Sequence, residues 1–150
     1  MTTTDPVLPI DLDRYLATNS ADDISSTSVF VERGSVLVNP RSLTGLRTLR
    51  QPLLAKIAAL RDDVLLRSRL ELLMTYLDEC VAERATLSPA IREAAFALLY
   101  FLKGFDRIPD TIPEVGLLDD ALVVQVVLDR NATALRAHWL RRRRYWPLDN

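Results

Sequence analysis

Apolar residues recur along most of this chain at the spacing of an α-helix. Leu53, Ile57, Leu60 and Val64 fall at i, i+4, i+7 and i+11, and a second stripe follows at Leu66, Leu70, Leu73, Leu77 and Val81. Pro52 suits a first helical turn, where its missing N–H is not needed. Asp62 and Asp63 either cap a separate helix or sit on the polar face of one long helix. Ser88-Pro89 is a start signal, a hydroxyl N-cap followed by proline, and its stripe Ile91, Ala95, Leu98, Leu102 runs to Gly104, placed to end it. A last helix beginning near Leu117 is almost wholly apolar through Leu128, which predicts a place at the centre of the core. Beyond Asn131 it turns amphipathic, with Leu135 and Trp139 inward and arginines outward. One stretch breaks the helical pattern. Val29-Phe-Val and Val36-Leu-Val flank Gly34 and read as a short β-hairpin closed by Asn39-Pro40, preceded by a polar segment with one short helix at Asp11 to Ala17.

The expected fold is therefore mainly α, a compact bundle of about four long helices with a small N-terminal β-hairpin. Residues 1–40 form an acidic N-terminal segment carrying the hairpin, and residues 41–150 form the helical domain. A hairpin of this size is barely stable alone, so it packs on the domain or pairs with a second copy, which leaves a homo-oligomer open.

The chain has 150 residues, enough for one domain, and its apolar share of 49% excludes wholesale disorder. Nineteen basic against 20 acidic residues leave a net charge of −1, which argues against nucleic acid as a partner. A single cysteine excludes internal disulfides and four-cysteine zinc sites, so a reducing, cytoplasmic setting is expected. The first residues lack the charge and apolar run of a secretory signal. The longest unbroken apolar run, Ala94 to Leu102, is about half the roughly 20 residues that span a bilayer. Charge is also uneven along the chain: Asp5, Asp11, Asp13, Asp22 and Asp23 crowd one end, and Arg130, Arg136 and Arg141 to Arg144 the other.

Between Gly104 and Ala121 lies the segment richest in chemistry. Pro109 and Pro113 forbid a continuous helix, Ile108 and Ile112 before them are held extended, and Gly116 supplies a turn, which predicts a rigid loop over 105–120. Asp106, Asp110 and Glu114 are spaced along it, and Asp119 and Asp120 fall in the first turn of the next helix. This segment resembles the hallmark of the YkvA family, a small bacterial domain of unknown function, whose form is Asp-x-Ile-Pro-Asp-x-Ile-Pro-x-x-Gly-x-x-Asp-Asp. Asp106, Ile108, Pro109, Asp110, Ile112, Pro113, Gly116 and the pair Asp119-Asp120 meet it, and the likeness extends over roughly residues 90–128. The resemblance implies no established reaction. It does imply a place at or near membranes, but Arg107 and Thr111 stand where the family usually has bulky apolar residues.

Three functional readings follow. The first is a non-enzymatic interaction or scaffold module, with a protein partner recognised by the loop 105–120 and no cofactor. The second is a divalent-cation site for Mg²⁺ or Ca²⁺ at Asp106, Asp110, Asp119 and Asp120, since hard cations take several oxygen ligands. Against it, each acid can instead cap a turn or favour a helix N-terminus, an effect of about 0.3–1 kcal/mol. The third is peripheral attachment to an anionic membrane through Arg141, Arg142, Arg143 and Arg144 with Trp139 and Trp146. Its plainer counterpart is that cations suit a helix C-terminus and the tryptophans cover core edges. No catalytic set stands out. His138 is the only histidine and sits among arginines, and Cys80 lies on an apolar stripe.

Overall fold

The start signal at Ser88-Pro89 opens the most buried element of the molecule, while Gly104, expected to end that element, lies outside the described residues. The computed structural model describes residues 8–18, 24–103 and 113–148. Among them eight helices follow one another and no strand occurs: α1 (Ile10–Thr18), α2 (Ile24–Ser35), α3 (Pro40–Thr48), α4 (Arg50–Ala58), α5 (Val64–Ala82), α6 (Pro89–Lys103), α7 (Pro113–Arg130) and α8 (Ala132–Arg141). Ser88 Oγ accepts from the N–H of Ile91 at 3.3 Å and opens α6. From Ala90 to Phe101 only Arg92 is not buried, and α1, α2, α3, α4, α5 and α7 all pack against this one helix. A helix apolar on every side has to be enclosed. The centre of the core is thus α6, and not the helix after it as the apolar run to Leu128 predicted.

The mainly helical expectation holds, but the hairpin does not. Val29 to Gly34 belong to α2, and Thr27, Phe30, Val31, Gly34 and Ser35 are its buried positions, a spacing of three and four rather than two. β-Branched composition is a weak preference that packing overrides. Gly34 makes no turn. A Cβ there would stand 2.5 Å from Phe96 Cζ and 2.8 Å from Tyr15 Cε1, so its missing side chain is what lets α2 lie close on α6. Phe30 sits in an aromatic group with Tyr15, Phe96 and Tyr100, at centroid distances of 5.1, 5.4 and 5.3 Å, and Tyr15 Oη donates to the Phe30 carbonyl at 2.8 Å. Asn39-Pro40 closes no hairpin either. Asn39 caps α3, accepting from Ser42 N at 3.1 Å while Ser42 Oγ accepts from Asn39 N at 3.0 Å, and Pro40 takes the first helical position.

Eight helices replace four because long stripes are broken. The run after Arg41 parts at Leu49, and the last one at Asn131. Asp63 settles the ambiguity of the acid pair by capping α5, its carboxylate accepting from Leu66 N at 3.0 Å. The stripes themselves are as read, with Leu53, Ile57, Leu60, Leu66, Leu70, Leu73 and Leu77 buried, while Val64 and Val81 at their ends are exposed. At Asn131 a buried polar clamp holds the break. Glu93 on α6 receives two hydrogen bonds from Arg130, at 2.9 and 3.0 Å, and one from Asn131 Nδ2 at 3.0 Å. Glu93 and Asn131 are buried and Arg130 is partly exposed. Removing the Asn131 side chain, which leaves a buried acceptor short of a donor, costs about 1–3 kcal/mol.

α5 and α8 end alike. Arg84 and Arg143 both have φ of 54°, and the bonds Ala85 N to Cys80 O and Arg144 N to Trp139 O close each helix in a Schellman turn. That left-handed position favours glycine, and a side chain there costs about 1–2 kcal/mol. No helix is long and apolar enough to cross a membrane among the described residues.

Candidate functional site

α6 and α7 bracket the proline-bearing segment, and the structure shows how its two ends are held. Pro113 opens α7, so the non-helical loop expected over 105–120 is shorter than the sequence suggested: residues 113–120 are helical, with Gly116 inside the helix rather than in a turn. Proline is well suited to the first position of a helix, which is why the second proline starts an element instead of interrupting one. Asp106 and Asp110, with Ile108 and Ile112, lie outside the described residues. Asp119 and Asp120 consequently sit in the second turn of α7, beyond the reach of the dipole effect assigned to them, which fades after the first turn.

Asp120 is 7% exposed, and its Oδ1 has no hydrogen-bond partner among the described residues. Burial pushes its pKa up to about 8; the ammonium of Lys56 pulls the other way, and the charge of Asp119 adds to the rise. Lys56 comes from α4. Its Nζ donates to the carbonyl of Phe101 at 2.6 Å and stands 4.9 Å from the centre of the Phe101 ring. That carbonyl belongs to the last turn of α6, where helical carbonyls have no intrahelical partner and a cation is favoured. One lysine thus caps α6 where the segment leaves, and a proton-bearing carboxyl lies in α7 soon after it returns. Lys56 was missed in the sequence, although it is one of only two lysines among 19 basic residues. Among the described residues no group of three or more His, Cys, Asp or Glu is placed to hold a metal ion.

The C-terminal residues form a second constellation, mostly directed inward. Trp139 is buried and meets the half-buried Trp146 edge to face at 5.5 Å. Arg144 lies over the Trp139 ring at 5.0 Å and Arg136 over Trp146 at 4.7 Å. Arg144 also reaches Glu79 Oε1 at 2.6 Å, and Arg142 pairs with Glu83. His138 is 1% exposed, with Nε2 at 2.8 Å from Glu79 Oε1 and Nδ1 at 3.1 Å from Arg142 Nη1. Arginine can only donate, so Nδ1 accepts and the ring proton sits on Nε2, facing Glu79. Burial alone would raise the Glu79 pKa, but hydrogen bonds from Arg144 and His138 and the charges of Arg144 and Arg142 hold it below the usual glutamate value. Arg141 and Arg143 are the two arginines of the run that are exposed and have no ion-pair partner among the described residues.

The described molecule is an all-helical fold organised on a single enclosed helix. Within it, residues 90–125 match the model of a family described as a protein of unknown function, DUF1232, to which YkvA proteins belong. That match covers α6, the proline-bearing segment and the first part of α7. No curated protein and no solved structure matches the chain.

Proposed function

We propose that this protein is a non-enzymatic interaction module whose recognition element is the segment between α6 and α7, with the acids Asp106, Asp110 and Glu114 on or beside it. The observation that carries this reading is the pair of fixed ends: Lys56 ties down the last turn of α6, and Asp120 is buried in α7. An element held at both ends by a packed scaffold loses less freedom on binding a partner than a free loop does. The only histidine and the only cysteine support the same reading from the other side. His138 is enclosed by Glu79, Arg142 and the Tyr76 ring, and burial raises the Cys80 thiol pKa, the reverse of what a nucleophile requires.

The divalent-cation reading has one point in its favour, the neighbouring carboxyls of Asp119 and Asp120. A hard cation binds ionised carboxylate, so it would have to displace the proton of Asp120. The tail reading has less support, because Trp139 and Trp146 face the core and Arg142 and Arg144 are matched by glutamates.

Site-specific photocrosslinking separates the first reading from its rivals. A photoreactive residue at position 111 is expected to capture one defined protein partner in cells, while the same group at the exposed Thr133 on α8 does not. Replacing Pro109 and Pro113 by alanine should abolish the capture while the helical circular dichroism persists. Equal labelling from both positions, or none from position 111, would refute the proposal.

A further inference from the structure

α3 and α5 both rest on α6, and the gap between them is an apolar trough. Its deep compartment, of about 220 Å³, is walled by Leu43, Leu46, Met74 and Leu77, with Leu98 of α6 as the fully buried floor. An enclosed apolar cavity of about 150 Å³ takes up benzene, so a space of this volume, although open to solvent at its rim, has room for a length of hydrocarbon chain. Its rim carries Arg47 and the Arg50–Asp78 pair, closed on itself at 2.6 Å. A second, shallower compartment of about 370 Å³ shares Leu43, Arg47 and Val81 with the first and adds Arg84. Arg47 thus borders both compartments and Arg84 the second, while the Arg50–Asp78 pair at the first is neutral as a pair.

The guanidinium groups of Arg47 and Arg84 have no hydrogen-bond or ion-pair partner among the described residues. The nearest acid in sequence to Arg84 does not neutralise it, because Glu83 is paired with Arg142. The left-handed backbone at Arg84 fixes where that side chain leaves the end of α5.

We propose that this trough binds a single-chain anionic amphiphile, a medium-chain fatty carboxylate, with its tail over Leu98 and its head between Arg47 and Arg84. A partner helix is the poorer occupant: it would present a row of apolar anchors to a long groove, and here there is one tail compartment and one charged mouth. The arginines supply the charge-assisted hydrogen bonds that a carboxylate head accepts.

The test is methyl NMR on the full chain, titrated with sodium decanoate, with decyltrimethylammonium and with acetate. Decanoate should saturably move the methyl signals of Leu43, Leu46, Met74 and Leu77, while the cationic amphiphile and acetate leave them in place. Arg47→Gln with Arg84→Gln, both exposed in the parent, should weaken decanoate binding roughly tenfold or more with the fold unchanged. Val81→Trp, which fills the passage between the compartments, should remove it. Equal responses to both amphiphiles, still methyl signals, tighter binding of an acidic Leu/Glu peptide than of decanoate, or indifference to the arginine pair would each overturn the proposal.

Discussion

At neutral pH the carboxyl of Asp120 keeps its proton, because the surroundings that would solvate its charge have been replaced by packed side chains. The consequence for stability has a definite sign. The folded state holds this proton up to about pH 8, whereas an unfolded aspartate releases it near 4, so between those values the folded state binds more protons and loses stability as pH rises. Asp120→Asn keeps the shape and cannot ionise. Relative to the parent, the variant should gain stability between pH 5 and pH 9, by on the order of a few kcal/mol, as measured by urea unfolding at both values. Parallel pH dependence in the two proteins would show that the carboxyl is not enclosed as described. Glu79 works in the opposite sense: its arginine and histidine partners lower its pKa, so their contribution is present above the ordinary glutamate value and fades as pH falls below it.

The helices show which local signals were readable and which were not. Ser88-Pro89 and the stripe from Leu66 to Leu77 were legible because hydroxyl caps, prolines and three-four spacing act within one element. The segment 29–38 was not, because its composition favours strands while the packing of Phe30, Val31 and Gly34 against other helices goes with the helical course of 29–35. The break at Leu49 is local in origin, since Pro52 cannot donate to the Thr48 carbonyl and takes its place in the first turn of α4. The break at Asn131 has no proline or glycine beside it and coincides with the clamp on Glu93. Of the candidate site, the acids were visible in the sequence and Lys56 was not, since nothing local ties a residue of α4 to the end of α6. The α2–α6 contact makes a direct prediction. Gly34→Ala adds helix propensity of about 1 kcal/mol but drives a methyl group into Phe96 and Tyr15, where overpacking costs about 1–3 kcal/mol. The net result should be a loss of up to about 2 kcal/mol, seen as a lower thermal midpoint; a variant more stable than the parent would mean that α2 does not lie this close.

On the scale of the whole molecule, one helix organises the rest. α6 touches six others, its C-terminal end is capped from α4 and its second turn is clamped to the α7–α8 break through Glu93. The proline-bearing segment lies between this helix and α7, so on the proposed reading a partner would be met beside the most enclosed part of the protein. The arginine-rich end is drawn into the same body by Glu79 and Glu83. The burial of Asp120 in α7 is the main claim. Its most direct test is a ¹³C NMR titration of the Asp120 carboxyl in the full chain. A midpoint near pH 8, moving downward when Mg²⁺ is added only if the cation reading is right, is the predicted result. A midpoint near 4, the value of a solvated aspartate, would contradict it.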